Sequence, residues 1–452
     1  MTQTETRGGA RRRPPSRGNH QGAKRARETS GSDPRAAAAE IVSAVCEDHQ
    51  PLAAVLDGDD TRALDPRDAA LARAIARITV RRRGDIDWCL ANLMDKPLPK
   101  RASAVRAILR ISAAQLLFMR QADHAAVNVA VALLKGDGAT GGFAGLANAV
   151  LRRLVRERDL LLARLPVEAN TPDWVWRRWV EIYGAATAGA IAAIHREEPS
   201  LDLAFAATGG PLPEGAEPLP TGGARLPTGT VTEIEGYAEG GWWVQDFAAQ
   251  LPALILGDVA GKRVLDLCAA PGGKTMQLAA RGAKVTAVEI DPARAERLRE
   301  NLARTRLSDR VEVVVGDAME AGGTYDAVLL DAPCSATGTM RRQPDVAWAK
   351  SKTDITALSR VQKDLLRHAA DRVESGGSLV YATCSIEPEE GEAQIRFVAK
   401  HLPALQLDPI NEGVPAAFAT PEGTMRTLPH MAIPETELRG LDGFFAARFR
   451  KV

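Results

Sequence analysis

From residue 34 onward, apolar positions recur every three to four residues. The pattern opens in "SDPRAAAAEIVSAVCED" and continues through "DAALARAIARITVRRRGDIDWCLANLM", "SAVRAILRISAAQLLFM", "HAAVNVAVALLK" and "FAGLANAVLRRLVRERD". A cap residue followed by proline marks the start of the first helix. No convincing strand precedes about residue 200, so residues 34–160 are expected to form an all-α bundle. Over residues 161–238 the pattern is mixed. "TPDWVWRRWVEIYG" predicts a helix with an aromatic anchor, and "TGGPLPEGAEPLPTGGARLPTG" marks turns or short strands, which together make a connecting subdomain.

Residues 239–452 form the last unit, in which the period changes from about residue 251. Short apolar runs, "KRVLDLCAA", "KVTAVEID", "VEVVVGDA", "YDAVLLDAP" and "GSLVYATCS", alternate with helical stretches such as "GKTMQLAARG" and "PARAERLRENLART". Strand–helix alternation predicts an α/β fold with a mostly parallel, doubly wound sheet and helices on both faces. Such sheets bind ligands beyond the carboxyl ends of their strands.

Composition adds limits. With 452 residues, 45% hydrophobic and 25% charged, the chain can bury more than one core, while a net charge of only +1 announces no polyanionic partner. Residues 1–33 are the exception. "TRGGARRRPPSRGNHQGAKRARETSGSD" is too poor in large apolar groups to offset its ordering entropy, so a disordered tail is expected, either solvated or a weak phosphate-binding arm. Arg81–Arg83 and Arg152–Arg153 suit RNA phosphates or an ordinary solvated helix face. The five cysteines (Cys46, Cys89, Cys268, Cys334, Cys384) are scattered and form no C-x-x-C pair, which argues against a disulfide framework and a zinc site. With no secretory or membrane-spanning run, a cytoplasmic protein with no metal and no membrane partner is expected.

The first strand of the sheet runs into "DLCAAPGGKT" (266–275), a glycine-rich turn whose backbone amides can approach a ligand closely. A Walker phosphate loop needs glycine where Cys268 stands, and the G-x-G-x-x-G fingerprint is absent. A nucleoside without a phosphate chain remains, such as S-adenosylmethionine. Glu289 ends the second strand, where an acid pairs with ribose hydroxyls. Asp317 ends the third and suits an adenine amino group, and Asp266 suits a cationic amino end. Each acid alone also reads as a cap or turn residue. Their recurrence at successive strand ends favours the cofactor.

The fourth strand ends in "DAPCSATG" and the fifth in "YATCSIEPEEGE". If the two are neighbours, their ends lie about 5 Å apart. Cys334 and Cys384 then flank one pocket, with Asp331 between them and the cofactor. Free cysteines are most often packed core residues, but each of these follows its strand and precedes a serine. Methylation of a pyrimidine C5 needs such a pair. That carbon is a poor nucleophile until a thiolate adds to C6, and the C5 proton must leave before the thiolate is eliminated. The target base has to be single-stranded or flipped out. Glu387, Glu389, Glu390 and Glu392 follow Cys384. Carboxylates near a thiol raise its pKa, whereas at the start of a helix near Pro388 they complement its dipole. The sequence leaves that balance open.

"VLDLCAAPGGKT", "LLDAPCSATGTMRRQPDVAW", "LVYATCSIEPEEGE", the closing "LPH…DGFFAARF" and the upstream "GWWVQDFAAQLPALIL" resemble the Sun/RsmB family of ribosomal-RNA cytosine-5 methyltransferases. "AAVNVAVALLK" and "LANAVLRR" are similar to the RNA-binding antitermination factor NusB, which members of that family carry as an N-terminal domain. The resemblance runs from about residue 34 to the end. It implies a Rossmann-like S-adenosylmethionine-dependent methyltransferase domain behind a NusB-like bundle. It further implies that Cys268, Ala269, Ala270, Pro271, Gly272, Gly273, Lys274, Glu289, Asp317 and Asp331 hold the cofactor. Cys384 would attack C6, Cys334 would assist release, and Asp331 would belong to the catalytic set. DNA cytosine methyltransferases instead attack with the cysteine of a Pro-Cys motif, the position of Cys334. Ala249 and Glu289 replace the commoner Ser and Asp, and "SLDLAFA" lacks an arginine that many relatives place there. The implied activity is methylation of one cytosine in small-subunit (16S) rRNA, naked or in an assembling subunit, by a monomer. Competing readings are a tRNA cytosine-5 methyltransferase and a non-catalytic RNA-binding assembly factor, the latter at odds with an intact cysteine pair.

Overall fold

The computed structural model describes residues 33–119, 121–206, 211–410 and 412–452. Except for Asp33, the arginine-rich segment expected to be a tail lies outside the described residues. The chain begins with helices α1 (Pro34–Cys46), α2 (Pro66–Arg81), α3 (Arg83–Leu93), α4 (Ser103–Phe118), α5 (Asp123–Gly136) and α6 (Ala144–Arg164). The cap signals are used: Asp33 accepts the Arg35 N–H at 2.8 Å, and Asp65 accepts those of Arg67 and Asp68. The apolar stripes meet in one core, in which Val42, Ile75, Leu109, Leu134 and Leu151 are fully buried. Each such side chain stabilises the bundle by about 1.5–3 kcal/mol.

Helix α7 (Asp173–Ile194) follows, interrupted where Gly184 takes φ +80°. Strands β1 (Leu201–Phe205), β2 (Glu217–Pro218), β3 (Ala224–Leu226) and β4 (Trp242–Val244) make an antiparallel sheet in the order β2-β3-β1-β4. Its last strand lies past residue 238 and returns the chain to β1, pairing Leu203 with Val244. The buried Asp202–Arg225 ion pair (2.6 Å) anchors this sheet. The same carboxylate accepts the Phe247 N–H that opens α8 (Phe247–Ile255).

The large sheet is the α/β fold expected from the alternating pattern. Strands β5 (Arg263–Leu267), β6 (Lys284–Glu289), β7 (Val311–Val315), β8 (Tyr325–Asp331) and β9 (Val373–Thr383) are parallel. They are joined by β10 (Leu405–Leu407), β11 (Met425–Arg426) and β12 (Phe445–Lys451), and the order is β10-β12-β9-β8-β5-β6-β7 with β11 against β12. Side chains alternate across it. Val264, Val285, Leu329 and Val380 pack under α8, α9 (Gly273–Ala280) and α10 (Pro292–Arg304). Leu265, Val328, Leu330 and Leu379 pack under α11 (Lys352–Arg372) and α12 (Glu392–His401). Burial on both faces explains why β5, β6, β8 and β9 read as apolar runs, while the edge strand β7 is partly exposed. Strands β10 to β12 pair antiparallel and carry no such run-and-helix signature.

Candidate active site

The carboxyl ends of β5, β6, β8 and β9 bring the expected residues together. After β5, Cys268 turns through φ +63° into Ala269, Ala270 and Pro271, and Gly272 takes φ +103°. That left-handed φ is what calls for glycine here, and a Cβ on Gly272 would also fall 2.2 Å from Leu298 Cδ1 on α10, which would have to shift. Gly273 then starts α9. Glu289, at the end of β6, is buried and accepts the N–H groups of Ala270 (3.2 Å) and Asp291 (3.1 Å), so it braces the loop. Asp317 follows β7 and caps a short turn by accepting the Met319 N–H at 2.9 Å. Lys274 reaches across from α9 to Asp331 at the end of β8 (2.7 Å) and lies 5.0 Å from the Phe444 ring.

A cleft of about 650 Å³ opens here, lined by Cys268, Glu289, Ile290, Asp317, Met319 and Pro333 among others. Its donor set fits S-adenosylmethionine. The volume lies within the range of small-ligand sites, about 300–1,000 Å³. Ile290 and Met319, exposed apolar side chains, offer faces for a flat base, and Glu289 and Asp317 stand beside them. Asp266, beneath the loop, accepts the Thr275 hydroxyl at 2.5 Å through one oxygen. The other oxygen is buried without a protein partner, as an acceptor for a bound ammonium or water would be.

Burial pushes the Asp266 carboxyl up to about 7. The folded chain therefore binds this proton more tightly than the unfolded chain does. The resulting stability is full in acid and is lost as pH rises from about 4 through about 7. Asp266→Asn is expected to flatten the cofactor-free protein's stability over that window, measured by urea unfolding at several pH values. An unchanged slope contradicts this assignment.

Strands β8 and β9 are neighbours, with Asp331 opposite Ala382, and Ala332 N–H bonds to the Ala382 carbonyl at 2.9 Å. The two cysteines that follow are both half-buried, and their sulfurs lie 3.3 Å apart. The hydrogen bond between them, then burial and the nearby Glu390 charge, push the Cys334 thiol well up. Arg342 is clasped by Asp442; burial opposes its charge, but Asp442 and Asp246 hold it strongly ionised.

The acidic run after Cys384 is occupied by partners. Pro388–Glu390 form a 3₁₀ turn, and the α-helix starts only at Glu392, because Gly391 intervenes with a non-helical backbone (φ −121°, ψ −99°). Arg178 on α7 pairs with Glu387 and Glu389, and the buried Trp179 Nε1–H reaches Glu387 at 3.2 Å. Glu392 pairs with Arg426 at 2.8 Å. Glu390 does most for the geometry. It accepts the Ser335 N–H (2.9 Å) and hydroxyl, the Ser385 hydroxyl (2.6 Å) and the Gln362 amide (3.1 Å). One carboxylate thereby ties the two Cys-Ser turns together, and the repeated dipeptide was the only trace of it in the sequence. Glu390→Ala leaves these buried donors unpaired and is expected to cost about 3 kcal/mol or more, measured by denaturant unfolding. A loss below about 1 kcal/mol contradicts the tie.

Solved structures share this architecture. That of PH0851 aligns with a TM-score of 0.72 at 24% identity, over 92% of this chain and 99% of its own. A methyltransferase homolog protein from Pyrococcus horikoshii aligns with a TM-score of 0.51 at 25% identity, over 61% of this chain and 94% of its own. Fold and strand-end site define an S-adenosylmethionine-dependent methyltransferase. The family model for 16S rRNA methyltransferase RsmB/F matches residues 253–450, and the NusB family model matches residues 32–156. Ribosomal RNA small subunit methyltransferase B of Serratia proteamaculans is 33% identical, over 92% of this chain and 98% of its own length. The protein of that name from Pseudomonas putida is 35% identical, over 93% and 99%. The chain belongs to the RsmB/F methyltransferase family.

Among the described residues no cluster of three or more His, Cys, Asp or Glu is placed to hold a metal ion, and no helix is long and apolar enough to cross a membrane.

Proposed function

We propose that this enzyme methylates C5 of a cytosine in RNA, and that the RNA is small-subunit rRNA, as the names of its relatives indicate. The observation that carries the cytosine chemistry is the pair of sulfurs 3.3 Å apart at neighbouring strand ends, joined to the cofactor loop through Asp331 and Lys274. Residues 268–274, Glu289, Asp317 and Asp331 are assigned to hold S-adenosylmethionine, which supplies an electrophilic methyl group when bound.

In this reading the Cys384 thiolate adds to C6 of a flipped-out cytosine. The new S–C6 bond pushes the C5–C6 electron pair onto C5, which becomes nucleophilic enough to take the methyl group. Restoring the aromatic ring then requires a base to take the C5 proton, so that the C5–H electron pair re-forms the C5–C6 double bond and the Cys384 sulfur leaves with the S–C6 pair as a thiolate. Cys334, beside the bond that must break, is assigned to this release. Lys274 holds Asp331 at the junction of cofactor loop and cysteine pair, which keeps the methyl donor's pocket in register with C5.

The test is tritium transfer from S-adenosylmethionine to total RNA, followed by bisulfite mapping of rRNA from a deletion strain. One cytosine of small-subunit rRNA is expected to lose its methyl group. Label confined to tRNA would move the substrate assignment, and no labelled RNA would overturn the reading.

A further inference from the structure

We propose that Arg81, at the end of α2 in the NusB-like domain, is a positioning residue for the cysteine pair, so that this domain contributes to the chemical step as well as to RNA capture. The inference rests on the assignment of Cys384 and Cys334 to catalysis.

The segment between Cys334 and α11 contains only short turns, Thr337–Thr339 and Val346–Ala349. It nevertheless backs the cysteines. Gly338 N–H donates to the Cys384 carbonyl at 3.1 Å, and the Gly338 carbonyl accepts the Gly443 N–H at 2.8 Å. A Cβ on Gly338 would fall 1.9 Å from the Gly443 carbonyl oxygen, so the backbones are in direct contact. Arg342, four residues further along, is clasped by Asp442 next to Gly443, with Nε at 3.0 and 2.9 Å from its two oxygens. The position of this segment therefore sets the position of the Cys384 carbonyl.

The segment is built of short hydrogen-bonded turns, and its other side rests on the NusB-like domain. Arg81, nearly buried, donates to the Arg341 carbonyl at 2.5 Å and to the Glu197 carbonyl at 3.2 Å. The Arg341 guanidinium is fixed in turn by Asp246 at 2.6 Å. Leu52 N–H reaches Asp345 at 3.2 Å, and the Arg83 guanidinium lies 4.6 Å over the Trp348 ring. The helical domain thus holds the segment at residues 341, 345 and 348, and the hold at 341 adjoins Arg342 itself. Without the Arg81 fork the buried Arg341 carbonyl loses its donor, and the segment can settle differently against Cys384. Displacements on the scale of 1 Å cost about a hundredfold in a positioned reaction.

The experiment uses the full chain with Arg81→Met, which keeps length and loses the donors, and Arg81→Lys, which can remake one bond. Three quantities are read: the single-turnover methylation rate at saturating small-subunit rRNA, the RNA affinity, and the rate of Cys384 alkylation by iodoacetamide. Arg81→Met is expected to slow methylation about ten- to hundredfold and to change the alkylation rate, with RNA affinity within about twofold and partial recovery in Arg81→Lys. A folded Arg81→Met with the native methylation and alkylation rates overturns the proposal, as does a defect confined to RNA affinity. Should Arg81→Met fail to fold, Trp348→Ala, which loosens the same segment, carries the same expectation, and a native rate there overturns it. Cys384→Ala run in parallel separates the two levels: activity surviving in it defeats the assignment of the cysteines, whatever Arg81→Met does.

Discussion

Cys384→Ala is expected to abolish methylation, by on the order of 10⁴-fold or more, and to form no covalent complex with RNA. In the proposed reaction no other group adds to C6, so the methyl acceptor carbon is never activated. The fold should survive the change. The Cys384 sulfur is half-buried and touches Cys334, while its turn is held by other atoms: the Gly338 N–H on its carbonyl and Glu390 on the neighbouring Ser385. A stability change within about 1 kcal/mol is therefore expected, together with unchanged S-adenosylmethionine binding. Tritium incorporation and a thermal melt check the two halves. Substantial methylation by a folded Cys384→Ala protein would contradict the assignment.

Cys334→Ala should fail later in the cycle. Cys384 can still attack and C5 can still accept the methyl group, but release of the C5 proton and of the Cys384 sulfur loses the group 3.3 Å away. The expected product is a protein–RNA complex that survives denaturing gel electrophoresis, with turnover reduced to about one event per enzyme. The adjacent Cys384 sulfur, burial and the Glu390 charge all raise the Cys334 thiol, which suits it poorly to the attacking role. A trapped complex in Cys384→Ala and none in Cys334→Ala would exchange the two roles.

The catalytic sheet was legible because its inner parallel strands are buried on both faces and even the partly exposed edge strand β7 is valine-rich. Each is an apolar run ended by a glycine-rich or acidic turn, which places "DLCAAPGGKT", Glu289, Asp331, Cys334 and Cys384 at one edge. Strands of two or three residues, such as β2, β3, β10 and β11, carry too few positions to show a period. The antiparallel β12 was visible as the motif "DGFFAARF" without its partner β9. The acidic run beside Cys384 was ambiguous for a different reason. Its effect on the thiol depends on Arg178, Trp179 and Arg426, which are far away in sequence. Arg81 shows the same limit most sharply. In sequence it belongs to a basic patch on a helix, read as solvated or phosphate-binding, yet its guanidinium is nearly buried against a carbonyl 260 residues away. Side chain to backbone contacts at that separation leave no spacing to read.

The most direct test of the central claim uses rRNA carrying 5-fluorocytidine at the target position. Fluorine at C5 cannot leave as a proton does, so the reaction stops after methyl transfer with the enzyme still bound through sulfur to C6. After protease and nuclease digestion, mass spectrometry should find the methylated fluorocytidine on the peptide containing Cys384 and on no other. Attachment at Cys334, or methyl transfer with no attachment at all, would contradict the account.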